Sequence, residues 1–253
     1  MRRFALSAAY MTAIYAFIFL PVAVLVLYSL QDGRLPIPPF KGFSLRWHAE
    51  VLGDDDLMAA LLNSLAVALV SSLAALILGF LAARAFVTTA LPGGLRAALL
   101  APLSVSYLVI GLGLLASFNL MAVPLSLTTA AIGHVVINAP LCFAICAAAL
   151  GPREATAERA ARDLGASDLS IMWLVTAPMI APALIAAFLL SVTFSWDEFI
   201  IAFLLTRFDI TLPVEIWGML RGGLNPRTNA VGSLVFLISA LAFLAVELSV
   251  RRK

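Results

Sequence analysis

The sequence predicts an all-α fold, a polytopic membrane protein with six transmembrane helices. Of its 253 residues, 63% are hydrophobic and only 12% are charged, whereas a soluble domain carries roughly a quarter charged residues. Mean hydropathy is +1.06. That is too much apolar surface for one water-soluble core, so lipid is the solvent for most of it. The apolar residues also gather into six runs, each near or above the roughly 20 residues that a bilayer crossing needs.

The first run covers 8–30; it is too long for a cleaved signal peptide and lacks the matching end. A polar segment follows at 31–56, with Leu35-Pro36-Ile37-Pro38-Pro39 and the acidic Asp54-Asp55-Asp56. The second run, 57–86, exceeds one straight crossing and is expected to tilt or to extend beyond the bilayer. A Thr/Pro/Gly turn at 88–94 leads to a third span near 97–121, and the fourth covers 127–150. The fifth span is expected at 177–205 and the sixth at 228–250, joined by a Pro- and Gly-containing loop at 206–227. Two parts follow: 1–56, the first helix with its external loop, and 57–253, a core with a cytoplasmic loop at about 151–176.

Basic residues set the orientation. With both termini inside, the cytoplasmic set is Arg2, Arg3, Arg84, Arg96, Arg153, Arg159, Arg162, Arg251, Arg252 and Lys253. The outer set is Arg34, Lys41, Arg46, Arg207, Arg221 and Arg227, ten against six. Both termini and the charged 151–170 segment are therefore expected in the cytoplasm.

Several chemistries are excluded. A net charge of +2 and the lack of a basic run interleaved with aromatics argue against nucleic acid. The two lysines, Lys41 and Lys253, are not in a G-x-x-x-x-G-K context, so no Walker motif binds ATP here. Gly111-Leu112-Gly113 has no preceding strand and no third glycine; close helix packing is its expected role. His48 and His134 lie in different segments, and no G-x-S-x-G or H-E-x-x-H pattern occurs. Cys142 and Cys146, four residues apart in an apolar run, are expected to pack as small hydrophobes rather than to bind metal.

The densest charge lies in 151–170. Residues 154–164 suit a helix, with Gly165 as its left-handed C-cap and Ala160, Ala161 and Leu164 as a small apolar face. The run Glu158-Arg159-Ala160-Ala161-Arg162-Asp163-Leu164-Gly165-Ala166-Ser167, with Pro178 thirteen residues after the glycine, resembles the EAA loop of permease subunits in binding-protein-dependent ABC importers. The first position of the EAA triplet is Arg159 here, with Glu158 one residue earlier. Further resemblance lies in Asn63-Ser64-Leu65, in Gly79 with Ala82-Ala83-Arg84, and in His134. It continues through Thr193-Phe194-Ser195-Trp196-Asp197-Glu198-Phe199, Leu212-Pro213-Val214-Glu215-Ile216-Trp217 and 224–230, which are similar to the spermidine/putrescine-type subfamily.

The resemblance implies a type I ABC importer permease fold in a bacterial inner membrane, with no covalent chemistry on this chain. It implies a second and different permease chain and two ATPase copies that carry ATP and Mg. It also implies an external solute-binding protein. Glu158, Ala160, Ala161, Asp163, Leu164, Gly165, Ala166 and Ser167 would couple to the ATPase. The implied cargo is a polyamine or related cationic amine. Thiamine or an opine-like solute stays open, because Ser106-Tyr107 is neutral where polyamine permeases carry an acid. An ion-driven secondary transporter and a membrane scaffold are the other classes, and neither predicts a copurifying ATPase.

Trp196, Asp197, Glu198 and Tyr107 are the expected substrate-path residues. An aspartate at a helix centre costs roughly 2.5–3.5 kcal/mol in lipid, so two adjacent acids must find water or a partner. Asp197 stands nineteen residues beyond Pro178, roughly 28 Å along an ideal helix and so near the outer leaflet. There snorkelling, or a salt bridge to Arg221 or Arg227, is the alternative to lining the path. Trp196 would serve as a cation platform or as an interfacial anchor. The topology is tested by single cysteines at Asp55 and Ser167 probed with an impermeant thiol reagent on intact cells. Only the first is expected to label, and labelling of the second alone would invert the orientation.

Overall fold

The computed structural model describes residues 2–89, 91–223 and 225–251. Arg252 and Lys253 of the cytoplasmic set, and Leu224 of the 224–230 motif, lie outside the described residues. Helix dominates because hydrocarbon offers no partner to a free backbone N–H or C=O. The chain divides into two units, 1–58 with 215–253, and 59–214.

In the first unit, α1 (Arg2–Ser29) packs along α13 (Pro226–Arg251), and the short α2 (Arg46–Leu52) packs on α13 as well. The polar segment between α1 and α2 is held by backbone bonds across its base, Asp32 N–H to Gly42 C=O at 3.1 Å and Ser44 N–H to Leu30 C=O at 2.7 Å. Trp47 Nε1 donates to the Gln31 carbonyl at 2.9 Å, and His48 Nε2 meets Ser233 Oγ at 3.0 Å. Asp54 accepts the Leu57 N–H at 2.9 Å and forms an ion pair with Arg227. That backbone bond first, and Arg227 after it, holds the Asp54 carboxyl below the usual range.

The second unit contains most of α3 (Asp55–Thr88), then α4 (Gly93–Leu100), α5 (Tyr107–Leu120), α6 (Leu127–Ala149) and α7 (Pro152–Asp163). After these come α8 (Asp168–Ile171), a π-helical turn (Met172–Thr176), α9 (Ala177–Met179), α10 (Ala181–Trp196) and α11 (Ile200–Leu205). The last helix before α13, α12 (Leu212–Arg221), straddles the division.

Two expected spans are not single rods. The third bends by 106° between 93–104 and α5, where Pro102 closes a 3₁₀ turn and Val105 is extended. The fifth bends by 81° at Ile180, between Pro178 and Pro182, and ends at Trp196 before the separate α11. A proline lacks the N–H that would carry a helix through, so each break has a local cause. Among the described residues, Tyr10–Ser29, Asp55–Thr88 and Leu127–Ala149 are each long and apolar enough to cross a membrane, and the two bent pairs bring that number to five. The 26-residue α13 occupies the place of the sixth expected span.

Helix contact in the second unit is made by small side chains. Ala68, Ser71, Ser72, Ala75 and Ala83 on α3 are all buried, and Gly79 lies among them. A Cβ at Gly79 would sit 2.6 Å from Phe143 N and 2.8 Å from the Cys142 carbonyl carbon, so α3 and α6 touch backbone to backbone. Small residues at this spacing are how helices associate where no hydrophobic effect drives them together. Gly111 likewise faces Leu204, whereas Gly113 has no heavy atom within 4 Å of a built Cβ, so only the first of the two glycines packs as expected. Cys142 and Cys146 are buried free thiols.

The Gly79 contact yields a prediction. Gly79→Val is expected to lower the stability of the detergent-solubilised protein by about 1–3 kcal/mol, because the opposing atoms are backbone and cannot move aside. Gly113→Ala should leave it unchanged or slightly raised, since Ala is the better helix former. Thermal unfolding of the two variants checks the pair, and equal midpoints would contradict it.

Candidate functional site

The segment 151–176 builds an ordered platform. The Gly151 N–H donates to Glu154 Oε2 at 3.0 Å, which satisfies one of the free donors at the start of α7, and Pro152 follows. At the other end Gly165 has φ +85°, with its N–H bonded to Arg162 C=O at 2.9 Å and the Ala166 N–H to Ala161 C=O at 3.1 Å. Those two bonds form a Schellman ending, for which glycine is the residue of least strain. The sequence expectation for Gly165 agrees with this geometry. Ser167 then caps the next helix by accepting the Ser170 N–H at 3.3 Å.

The exposed face of α7 carries Ala160, Asp163 and Leu164, with Ala161 and Ala166 half-buried. Leu164 is 88% exposed, an apolar side chain standing in the open at the tip. Glu158, expected on the same surface, does not lie there. It is buried, accepts from Arg84 Nε at 3.2 Å and Nη2 at 3.4 Å, and takes a further hydrogen bond from the Thr176 hydroxyl. Its inward place has a plain cause: Arg84, near the end of α3, needs an anion, and the inner side of α7 supplies it. Around this pair, Arg162 Nη2 bonds Asp168 Oδ1 at 3.0 Å and Arg84 Nη2 lies 3.7 Å from the same oxygen. A cavity of about 640 Å³ opens beside α7, with walls that include Arg84, Glu154, Glu158, Arg159, Arg162 and Asp168.

A second polar cluster lies within the helix bundle. Ser71 Oγ and Ser195 Oγ are 3.1 Å apart, Ser195 Oγ and His134 Nδ1 are 2.6 Å apart, and all three residues are buried. His134 Nε2 is 3.5 Å from Glu198 Oε2, an ion-pair distance too long for a good hydrogen bond. Glu198 Oε2 instead accepts the backbone N–H groups of Ile201 at 2.8 Å and Ala202 at 3.2 Å. It is 5% exposed and caps α11 from inside. The break after Trp196 creates a new helix start with unpaired donors, and the carboxylate satisfies them.

Asp197 is exposed and Trp196 half-buried at the end of α10. Arg227, one alternative partner considered for these acids, is engaged by Asp54. Tyr107, the first residue of α5, is packed against the cluster of Phe118, Ala130, Ile137, Ile201 and Leu205. Sequence reasoning missed Arg84 and Thr176 as partners of Glu158, and Ser195, itself bonded to Ser71, as the partner of His134. Arg84 stood in the sequence as a basic flank and as part of Ala82-Ala83-Arg84, with nothing to point to its partner.

With this geometry in view, known proteins give a consistent picture. The family described as "Binding-protein-dependent transport system inner membrane component" matches residues 75–253. The spermidine/putrescine transport system permease protein PotC of Escherichia coli (strain K12) is 28% identical over 252 residues, covering 98% of this chain and 95% of the relative. The putrescine transport system permease protein PotI of the same strain is 32% identical over 248 residues, covering 94% and 88%. Among solved structures, a bacterial ABC transporter involved in the import of the acidic polysaccharide alginate aligns with a TM-score of 0.61 at 19% identity. That alignment covers 99% of this chain and 96% of that one, and it speaks to fold alone.

The two adjacent acids should behave oppositely. Glu198→Ala strands two buried N–H groups and is expected to cost about 1–3 kcal/mol, while Asp197→Asn should stay within about 0.5 kcal/mol of the parent. Thermal unfolding of the purified variants measures both, and a destabilised Asp197→Asn beside an unaffected Glu198→Ala would refute the assignment.

Proposed function

The chain belongs to the inner-membrane components of binding-protein-dependent transport systems, and on that premise we propose that it forms one half of the pore of an ATP-driven polyamine importer. It is the membrane subunit of such a system; hydrolysis belongs to a separate ATPase. Its partners are a second, different permease chain, two copies of the ATPase and an external solute-binding protein. Both termini face the cytoplasm. The cargo reading draws on relatives named for putrescine and spermidine transport that align over nearly the whole chain. Within the chain, the exposed Asp197 beside Trp196 offers a carboxylate and an aromatic face of the kind that attract an alkylammonium ion.

The observation that carries the coupling reading is the α7 platform. Its end is fixed by the Gly165 turn, its inner side is tied down by Glu158, and its tip presents Leu164. Closure of the ATPase pair pushes on 163–167, and the bundles rock between outward and inward access. A metal or nucleotide on this chain has no part in that cycle.

Gly165→Pro and Asp163→Lys are expected to abolish transport while leaving the protein in the membrane. Proline cannot adopt φ +85° and removes the N–H that bonds Arg162. Putrescine uptake into right-side-out vesicles loaded with ATP measures this, with the cognate binding protein added outside. Parental uptake in both variants would overturn the coupling role. Under the cargo reading Asp197→Asn raises the putrescine concentration for half-maximal uptake, with normal assembly.

A further inference from the structure

Of the three arginines in the wall of the α7 cavity, two are paired with carboxylates. Arg84 is neutralised by Glu158, Arg162 by Asp168, and Glu154 is occupied by the Gly151 N–H. Arg159 bonds only the Ala155 carbonyl of its own helix, at 3.2 Å through Nε. Among the described residues no carboxylate lies within ion-pair distance of its guanidinium. Asp163 is four residues on, yet makes no such pair, and an Arg preceding an acid at that spacing is the weaker order.

Position adds to charge. At roughly 100° per residue, Arg159 stands a quarter-turn from the inward Glu158, between the buried side of α7 and its exposed Thr156–Ala160 strip. It therefore forms the lip of the cavity, whose wall also includes the apolar Val87 and Leu150. A planar guanidinium held at the mouth of a partly apolar cavity is suited to a two-point contact with an incoming carboxylate. A free anion would leave Leu164 uncovered. A protein that covers Leu164 can reach the cavity with a side chain of its own.

We infer that the ATPase subunit inserts an Asp or Glu side chain into the cavity beside α7, where Arg159 receives it. This rests on the coupling role proposed above and specifies its partner: the ATPase groove that accepts this helix is acidic at that point. Charge pairing here selects among ATPases, because a groove with a cation at the same point would meet Arg159 with repulsion.

The test uses the assembled transporter in lipid nanodiscs. This chain has only Lys41 and Lys253 as its own lysines, so Arg159→Lys introduces an amine that a zero-length carbodiimide joins to any carboxylate in direct contact. Peptide mass spectrometry is expected to find that amine linked to an Asp or Glu of the ATPase. A link to Asp163 or another acid of this chain, or no link at all, overturns the inference. In parallel, Leu164→Cys carrying a benzophenone photoprobe reports what covers the tip. If the photoprobe reaches the ATPase while the amine does not, the acidic contact is wrong and the coupling role stands. If neither reaches it, the coupling role falls as well. Arg159→Glu should reduce solute-stimulated ATP hydrolysis by about tenfold or more at unchanged membrane level, and a parental rate would count against the inference.

Discussion

The second unit depends on how closely α3 approaches α6. Lipid tails are as apolar as the helices they surround, so burying Leu or Val against a neighbour gains little over leaving it in the bilayer. Close backbone contact is what remains, and Gly79 with the buried Ala and Ser residues of α3 provides it. The same contact fixes what the bundle can contain. Ser71, Ser195 and His134 Nδ1, buried between these helices, bond one another. Arg84 lies further along α3, five residues beyond Gly79, where it meets Glu158. One run of small side chains thus sets the position of both polar clusters.

Two buried glutamates are held by protein groups in two different ways. Glu198 is placed where α10 stops and α11 begins, and takes the backbone donors that the break exposes. Glu158 sits on a continuous helix and instead gathers a guanidinium and a hydroxyl from two other elements. In each case the acid stands beside an irregularity, the break after Trp196 within the expected fifth span or the π-helical turn that ends at Thr176 just before it. Irregular backbone at membrane depth persists only where protein groups complete its hydrogen bonds, and Glu198 does this directly. Thr176 bonds both Glu158 and the Ile171 carbonyl, so the wide turn and the platform share a side chain.

Much of this was legible before any coordinates. Hydropathy located all the long helices, and the Gly165 turn followed from the composition of its helix and the absence of strain for glycine. The broken spans were not seen, although Pro102, Pro178 and Pro182 were in plain view. A hydropathy window averages over a bend and cannot distinguish one tilted rod from two crossing ones. The fates of Asp197 and Glu198 were also beyond reach. Adjacent positions differ by about 100° around a helix, and the helix break that decides which acid turns inward is itself tertiary. The burial of Glu158 was out of reach for a similar reason. Its partner Arg84 is 74 residues away, a separation that no local pattern reports.

The pairing of charges around α7 has a mechanical consequence. Exposed ion pairs usually contribute little, because solvent screens them and long side chains lose freedom. Glu158 and Arg84 escape that limit by being largely buried, with side chains 8% and 15% exposed. They join α7 to α3, and Thr176 joins the same carboxylate to the turn that leads into the 81° bend at Ile180. A load applied at the Gly165 turn therefore reaches α3 and the bent helix through one buried carboxylate. The exposed pair of Arg162 and Asp168 can break and reform in water without interrupting that path. Rigidity is thus concentrated on the inner side of α7, which leaves the outer side, with Ala160 and Leu164, free to be shaped by a partner.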